Sequence, residues 1–257
     1  MDFLLICSVA FVASILTFFT GFGLGTLLLP AFAAFFPAEI AVALTAVVHF
    51  LNSLFKLVLV GRRANLHVAA RFGVPAIVAA FGGAFVLTWL AGQGPLWAYE
   101  VAGKSFQVMP VAFVIALLML VFALLELWPR FKRVSIPMRY MPIGGLLTGF
   151  FGGLSGHQGA LRSAFLIRAG LEKEAFVATG VVIAAVVDVT RLLVYWERFF
   201  AADLTRNGPL LGAAALAAFA GAVAGNRLLH KISLRSIEVG VAMLLAVVAV
   251  GLGAGIL

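Results

Sequence analysis

Long apolar runs alternate with short polar connections along the whole chain. Eight apolar runs are present, at about 3–36, 38–60, 67–92, 105–128, 140–168, 173–195, 208–229 and 233–256. A helix of about 20 apolar residues is long enough to cross a bilayer, so each run can supply at least one crossing. The pattern predicts an all-α polytopic membrane protein with about eight transmembrane segments.

Composition supports this prediction and argues against a soluble fold. Hydrophobic residues make up 64% of the 257 residues and charged residues only 11%, against roughly 25% charged in globular proteins. The basic residues behind the net charge of +8 lie mostly between apolar runs. That placement is typical of topology signals and headgroup contacts and not of nucleic-acid binding. We therefore expect a multi-pass protein whose surroundings are a lipid bilayer.

Two of the runs are too long for one straight helix. Runs 3–36 and 140–168 would each extend roughly 45 Å as a helix, against a hydrocarbon core of about 30 Å. The first contains Gly21 to Gly25 followed by Pro30, and the second contains seven glycines between Gly144 and Gly159. Because glycine permits an unwound backbone, we expect both segments to break at these clusters. Broken helices of this kind form midplane binding sites in many transporters.

A broken segment followed by three single segments occurs twice in the chain. A shift of 134 residues aligns Gly25 with Gly159 and Thr45 with Thr179 without a gap. The sequence thus predicts two transmembrane repeats of four segments, at 1–128 and 140–257, joined by a basic cytoplasmic linker at 129–139. An even number of crossings in each half makes the repeats parallel, whereas a re-entrant segment would make them inverted.

The basic residues of the connections predict the orientation. Nine lie on the amino-terminal side and six on the other side, where Arg168, Lys173 and Arg227 are placed. Because positive residues favour the cytoplasmic side, both termini are predicted to be cytoplasmic. A re-entrant segment would change this count.

Polar residues inside the apolar runs are candidates for function, since an ionisable group at the centre of a span costs at least roughly 2.5–3.5 kcal/mol. In the second run, Thr45, His49, Asn52 and Lys56 lie on one helical face at spacings of 4, 3 and 4. Lys56 either faces a pocket or snorkels to the interface. His49 lies deeper and is a candidate proton carrier, because histidine titrates near neutral pH.

A second polar group surrounds the later glycine break. Arg162 follows His157 and Gln158 closely, and the sixth run carries Asp188 and Arg191 three positions apart. Asp188 and Arg191 fit either a functional pair or a local ion pair that only fixes a helix contact. Backbone amides at a helix start and guanidinium groups both attract oxyanions. Because the deep cations outnumber the deep acids, a small anion is the expected occupant.

These observations define a predicted site. Arg162 and Arg191 are expected to hold the anion, and Asp188 to orient Arg191. The other predicted substrate-binding residues are His157, Gln158, Ser163, Gly159, Gly23 and Gly25, and the pocket-lining or coupling residues are His49, Asn52, Lys56, Thr45 and Asp188. The sequence has no zinc-ligand spacing, phosphate-binding loop or Ser-His-Asp arrangement, and only one cysteine, so no metal, cofactor or enzymatic activity is expected.

The stretch Gly152 to Leu166, which reads GGLSGHQGALRSAFL, resembles the TauE/SafE family of sulfite exporters and toluene-sulfonate uptake permeases. Thr179-Gly180, the stretch 188–192 (DVTRL), the glycine-rich first segment and the basic linker extend the resemblance to nearly the whole chain. His157-Gln158 and Ala164 stand where many members carry a glycine run and a proline. The resemblance implies secondary transport of small sulfur oxyanions, such as sulfite or sulfonates, without an ATP-binding module.

The leading hypothesis is a secondary carrier of a small anion, sulfite or an organosulfonate, that works by alternating access with ion coupling. An uncoupled anion channel would share the positive cavity and would differ in a flux that ignores a proton gradient. A non-transporting assembly factor or an intramembrane enzyme is a third hypothesis, against which the missing catalytic groups argue. The sequence leaves the direction, the coupling ion and a homo-oligomeric state open.

Overall fold

The computed structural model describes residues 2–20, 24–128, 136–196, 204–228 and 235–257. The described chain is mostly helical. Its α-helices are α1 (Asp2–Thr20), α2 (Leu24–Ala33), α3 (Ala38–Val60), α4 (Leu66–Ala91), α5 (Pro110–Leu127), α6 (Met141–Ser155), α7 (Gly159–Leu166), α8 (Lys173–Val194), α9 (Leu204–Leu228) and α10 (Arg235–Gly253). Short 3₁₀ turns occupy Gly61–Arg63, Met138–Tyr140 and Ile167–Ala169.

A β-hairpin joins α4 to α5, where no strand is predicted from the sequence. Strands β1 (Trp97–Val101) and β2 (Lys104–Val108) pair antiparallel. The turn between them consists of Ala102 and Gly103, with φ angles of 53° and 75°. Positive φ at both positions is the requirement of the tight two-residue turns that suit twisted hairpins.

The surface of the helices is apolar enough to face lipid. Within the described residues, four helices are long and apolar enough to cross a membrane, at 38–63, 66–91, 173–194 and 207–227. Large apolar side chains point outward along several helices, including Val78, Leu216 and Val247, which are 66%, 67% and 71% exposed. Apolar surface on this scale is rare on a protein surrounded by water. These are the features of an integral membrane protein.

The predicted break in the fifth apolar run is confirmed. Helix α6 ends at Ser155 and α7 begins at Gly159. Between them, Gly156 has a φ of +83°, in the left-handed region that glycine adopts without strain, and its amide donates to the carbonyl oxygen of Gly152 at 3.0 Å. In the first run α1 ends at Thr20 and α2 begins at Leu24, and the residues between them, Gly23 included, lie outside the described residues.

Helix α7 returns toward the end of the molecule from which α6 started. The backbone amide of Ile136, which precedes α6, donates to the carbonyl oxygen of Ala164 in α7 at 3.4 Å. A Cβ added to Gly144 would lie 2.5 Å from the ring of Phe165, so the start of α6 also contacts the end of α7. Helices α6 and α7 therefore form a re-entrant hairpin and not one long crossing.

The glycines of α6 serve mainly to pack this hairpin onto α4. Gly145, Gly149 and Gly153 recur every four residues, so they form one stripe along the helix. A Cβ at each would lie 2.1–2.2 Å from a backbone carbonyl oxygen of α4. Only glycine allows such close approach of two helix backbones, so the stripe determines where α6 lies.

Helices α3 and α8 run antiparallel. The connection after α3 meets the beginning of α8, because Arg63 Nη1 lies 3.8 Å from Glu174 Oε1 and the backbone amide of Asn65 donates to Thr179 Oγ1 at 2.9 Å. The predicted placement of Arg168 and Lys173 on the side opposite to Arg63 is therefore wrong. It is wrong because the re-entrant hairpin, which precedes both residues, adds no crossing.

The two ends of the helical bundle differ in charge. At one end, which we call the arginine-rich end, lie exposed basic residues before α4, in its second turn, before α6 and after α7: Arg62, Arg63, Arg71, Arg139 and Arg168. The β-hairpin lies at the other end, where the hydroxyl of Tyr99 donates to the carbonyl oxygen of Ala254 at 2.6 Å. The described carboxyl-terminal residues thus lie opposite to the arginine-rich end.

Candidate functional site

A buried carboxylate lies at the contact between α3 and α8. The Asp188 side chain is fully buried, and its Oδ1 accepts hydrogen bonds from Nε and Nη2 of Arg191 at 3.0 and 2.7 Å. Its Oδ2 lies 2.6 Å from Nδ1 of His49, the central residue of α3. Gln158 Nε2 donates to Oδ1 at 3.4 Å. We call these four residues the carboxylate cluster; it contains the predicted contact between Asp188 and Arg191.

The glycine break lies directly against this cluster. A Cβ added to Gly156 would lie 2.7 Å from Nη1 of Arg191, so the bare backbone makes room for the guanidinium. The ring of His157 stacks on Phe122 with centroids 5.2 Å apart, and its Nδ1 lies 3.0 Å from Ser155 Oγ. Among the described residues, Nη1 of Arg191 and Nε2 of His157 have no hydrogen-bond partner. These two buried atoms lie beside the break, one on α8 and one in the break itself.

A small cavity adjoins the cluster between α3, α7 and α8. The space open to the centre of a water molecule within it is about 30 Å³. We call it the central cavity; its lining comprises His49, Asn52, Ser53 and Lys56 of α3, Arg162, Ser163 and Leu166 of α7, and Phe176, Val177, Gly180, Val181 and Ala184 of α8. One wall is therefore polar and cationic, and the α8 wall is apolar.

The polar wall of α3 follows from its spacing. Asn52, Ser53 and Lys56 follow His49 by three, four and seven positions, which places all four on one helical face. Lys56 is only 2% exposed, so it does not snorkel to the surface. The Asn52 amide fits all its neighbours when its nitrogen donates to Ser14 Oγ at 3.0 Å and its oxygen accepts from Lys56 Nζ at 3.1 Å.

Arg162 lies on α7 at the edge of the cavity and is 5% exposed. Its Nη1 donates to Gln158 Oε1 at 3.5 Å, so Gln158 links Arg162 to the carboxylate cluster. A Cβ added to Gly180 would lie 3.3 Å from Arg162 Nε, so a glycine on α8 provides the room for the guanidinium. Arg191 is not part of the cavity lining. Of the two arginines that the sequence predicts to hold the anion, Arg162 thus lines the cavity and Arg191 lies in the carboxylate cluster.

The remaining predicted site residues are distributed around this centre. Ser163 lines the cavity, and Gly159 is the first residue of α7. A Cβ added to Gly25 would lie 3.1 Å from the carbonyl oxygen of Gly156 and 3.6 Å from His49, so the two halves of the chain meet at these glycines. Thr45 is buried one turn before His49 and does not line the cavity.

Some residues of the cavity are not predicted from the sequence. Ser53 follows His49 by four positions, so the spacing of the α3 face could have identified it. The apolar wall of α8 carries no such signal, because its residues look like any others in an apolar span. Within the described ranges, no three His, Cys, Asp or Glu side chains are grouped so that they could hold a metal ion.

The fold and this site define an integral membrane protein with a buried cationic cavity between α3, α7 and α8. The family model named sulfite exporter TauE/SafE matches residues 6–252. The chain belongs to this family, so the resemblance noted in the sequence is confirmed. No curated protein and no solved structure matched the chain.

Proposed function

We propose that this protein is a secondary transporter of a small sulfur oxyanion, such as sulfite or an organosulfonate, and that the central cavity is its binding site. Membership of the sulfite exporter family supports the transport class. The observation that carries the proposal is the burial of two cationic side chains, Lys56 and Arg162, on one cavity between α3, α7 and α8. A guanidinium and an ammonium group that face one cavity both donate charged hydrogen bonds, which are the strongest that an oxyanion accepts.

In this proposal the two walls of the cavity have different roles. Arg162 and Lys56 attract the anion, and the hydroxyl of Ser163 and the amide of Asn52 orient it. The apolar wall of α8 excludes water, which strengthens the attraction between the fixed cations and the anion. Arg191 acts indirectly, because it holds Asp188 in place and Asp188 contacts His49.

In this proposal His49 carries the proton that is transported together with the anion. It lines the cavity and also contacts the carboxylate of Asp188 at 2.6 Å. A histidine in both positions can exchange a proton with the cavity while the anion is bound. We propose that proton movement through His49 couples transport to the proton gradient, which an uncoupled channel would not need.

In alternating access, two related halves move against each other and open the binding site to one side of the membrane at a time. The helices α1–α2, α3, α4 and α5 correspond in order to α6–α7, α8, α9 and α10, and their packing is reciprocal: α4 contacts α6, α9 contacts α1, and α3 contacts α8. Since α3 and α8 run antiparallel, we propose that the repeats 1–128 and 140–257 are inverted. Inverted repeats around a midplane site are a known basis of alternating access.

The arginine-rich end is proposed to face the cytoplasm of a bacterial-type inner membrane. Positive residues favour the cytoplasmic side, and Lys104 is the basic residue that the described β-hairpin places at the opposite end. In this orientation the carboxyl terminus is on the non-cytoplasmic side, which replaces the prediction that both termini are cytoplasmic.

The test of the transport proposal is sulfite flux into liposomes that contain the purified protein. Arg162→Gln should reduce flux at least about tenfold, because a hydrogen bond to a charged group contributes roughly 1.5–3 kcal/mol. Arg71→Gln, which removes an exposed arginine of α4, should leave flux near the wild-type value. Size-exclusion profiles establish that each variant is folded. Wild-type flux through a folded Arg162→Gln variant would contradict the assignment of the site.

A further inference from the structure

A second and larger cavity lies at the end of the bundle opposite to the arginine-rich end. It lies where the end of α2, the start of α3, the end of α4, the start of α5 and the end of α10 meet, and we call it the hairpin-end cavity. Its lining includes Phe36, Glu39, Ala91, Met109 and Leu252. The space open to the centre of a water molecule within it is about 490 Å³. Cavities of roughly 300–1,000 Å³ are typical of small-molecule binding sites.

The hairpin-end cavity is separate from the central cavity. Glu39 and His49 lie on the same helix, and the ten positions between them correspond to about 15 Å along its axis. The α3 residues from Ala41 to Ala46, which lie between the two, are all buried. A ligand in the hairpin-end cavity is therefore distinct from an anion in the central cavity.

Glu39 is the one charged side chain in the described lining of this cavity, and the other lining side chains are apolar. Its side chain is partly exposed. Among the described residues, the carboxylates that form salt bridges are Asp188 and Glu174, and not Glu39. The start of α3 contributes a positive charge of about half a unit, which is less than the full charge of the carboxylate. The cavity thus combines an apolar surface with a net negative charge.

Two phenylalanine rings line the cavity together with this carboxylate. Phe35 and Phe36 belong to the turn between α2 and α3, and both of their backbone amides donate to the carbonyl oxygen of Phe32 at 2.9 Å. The ring of Phe36 also packs against that of Phe32, with centroids 6.0 Å apart. The turn therefore holds aromatic surface in place beside the start of α3. Aromatic faces attract organic ammonium ions, because the face of the ring is negative.

The lining argues against other classes of ligand. Glu39 would repel an anion. A neutral apolar molecule, such as a lipid chain, would take the carboxylate out of water without giving it a partner. A metal ion needs several oxygen ligands, and the described lining offers one carboxylate side chain. An ammonium ion that carries apolar groups fits both the charge and the apolar surface.

We propose that the hairpin-end cavity binds an organic ammonium ion, with Glu39 as its counter-ion and the rings of Phe35 and Phe36 against its apolar groups. The proposal goes beyond the proposed function, since the cavity and its ligand differ from those of anion transport.

Benzyltrimethylammonium tests the proposal, because it joins one positive charge to methyl and phenyl groups. Its binding is measured by calorimetry on the purified protein in lipid nanodiscs, with empty nanodiscs as the background. The wild-type protein should bind one ion per chain. Glu39→Gln should weaken binding at least about fivefold, and Phe35→Leu should weaken it about two- to fivefold, because each removes one attraction for the cation. Glu174→Gln, which removes an exposed glutamate at the arginine-rich end, should not change the affinity.

Three results would overturn the proposal. They are no binding above that of empty nanodiscs, an affinity that Glu39→Gln leaves unchanged, and an equal loss in Glu39→Gln and Glu174→Gln. Size-exclusion profiles establish that the variants are folded, and Glu39→Asp, which keeps the charge, should retain most of the affinity. If Glu39→Gln does not fold, Phe35→Leu decides, and an unchanged affinity in that variant contradicts the site. None of these results depends on sulfite flux, so a failure of the transport proposal would be recognised separately.

Discussion

Arg162 and Arg191 lie in the same half of the chain, and both are almost fully buried, yet their surroundings differ. Arg191 makes two hydrogen bonds to the carboxylate of Asp188 and is 0% exposed. Arg162 lines the central cavity, and Gln158 links it by hydrogen bonds to Asp188. One arginine thus pairs directly with the buried carboxylate, and the other faces the cavity.

The difference shows that burial of a cation inside a membrane protein does not by itself indicate ligand binding. Arg191 has a structural reason to be buried, because an ion pair with good geometry can offset much of the desolvation cost. Arg162 is buried as well, but it lines the central cavity. Two substitutions test the different roles of the cluster and the cavity. They are Asp188→Asn and His49→Gln, and Asp188→Asn should have the larger effect.

Asp188→Asn should strongly destabilise the protein. It leaves Arg191 buried without its carboxylate, and breaking a buried pair in this way typically costs about 3–5 kcal/mol. We expect a large loss of folded protein after detergent extraction and a much lower melting temperature, measured by thermal unfolding of the purified protein.

Glu174→Gln on the same helix is the matched control. Glu174 lies 3.8 Å from Arg63, and both side chains are about half exposed or more. An exposed pair contributes at most about 1 kcal/mol, so the melting temperature should hardly change. If the melting temperature of Asp188→Asn equalled that of Glu174→Gln, the buried pair of Asp188 and Arg191 would not stabilise the fold.

His49 belongs to both regions, so its replacement should have a smaller and more specific effect. Gln at this position can still donate a hydrogen bond to Asp188 but cannot titrate. His49→Gln should therefore fold normally and bind the anion, while its flux no longer responds to an imposed proton gradient. The measurement is flux into liposomes with and without a pH difference.

The exposed His67 at the start of α4 provides the control for this experiment. His67→Gln should keep the wild-type response to the gradient. A full response in His49→Gln would show that the coupling proton moves elsewhere, although the anion site could still be correct.

Much of the local arrangement is predictable because helical spacing determines which residues share a face. The α3 face with His49, Asn52 and Lys56 follows from spacings of 3 and 4, and so does the contact of Asp188 with Arg191. The break near Gly156 follows from the excess length of the apolar run. Each of these predictions depends only on residues close together in the chain.

The long-range arrangement is not predictable in this way. Spacing does not tell which helix faces the α3 residues, and the apolar wall of α8 has the same composition as a lipid-facing surface. The reversal of the chain at Gly156 depends on one left-handed glycine among many glycines. It is this reversal that places Lys173 at the same end as Arg63.

The most direct test of the central cavity is a structure of the protein with selenate, which resembles sulfate and whose selenium gives an anomalous signal. We expect one strong selenium peak between Arg162 and Lys56, bounded by the α8 side chains Val177 and Val181. Selenium beside Arg191 and Gly156, or only at exposed arginines such as Arg62 and Arg139, would contradict it.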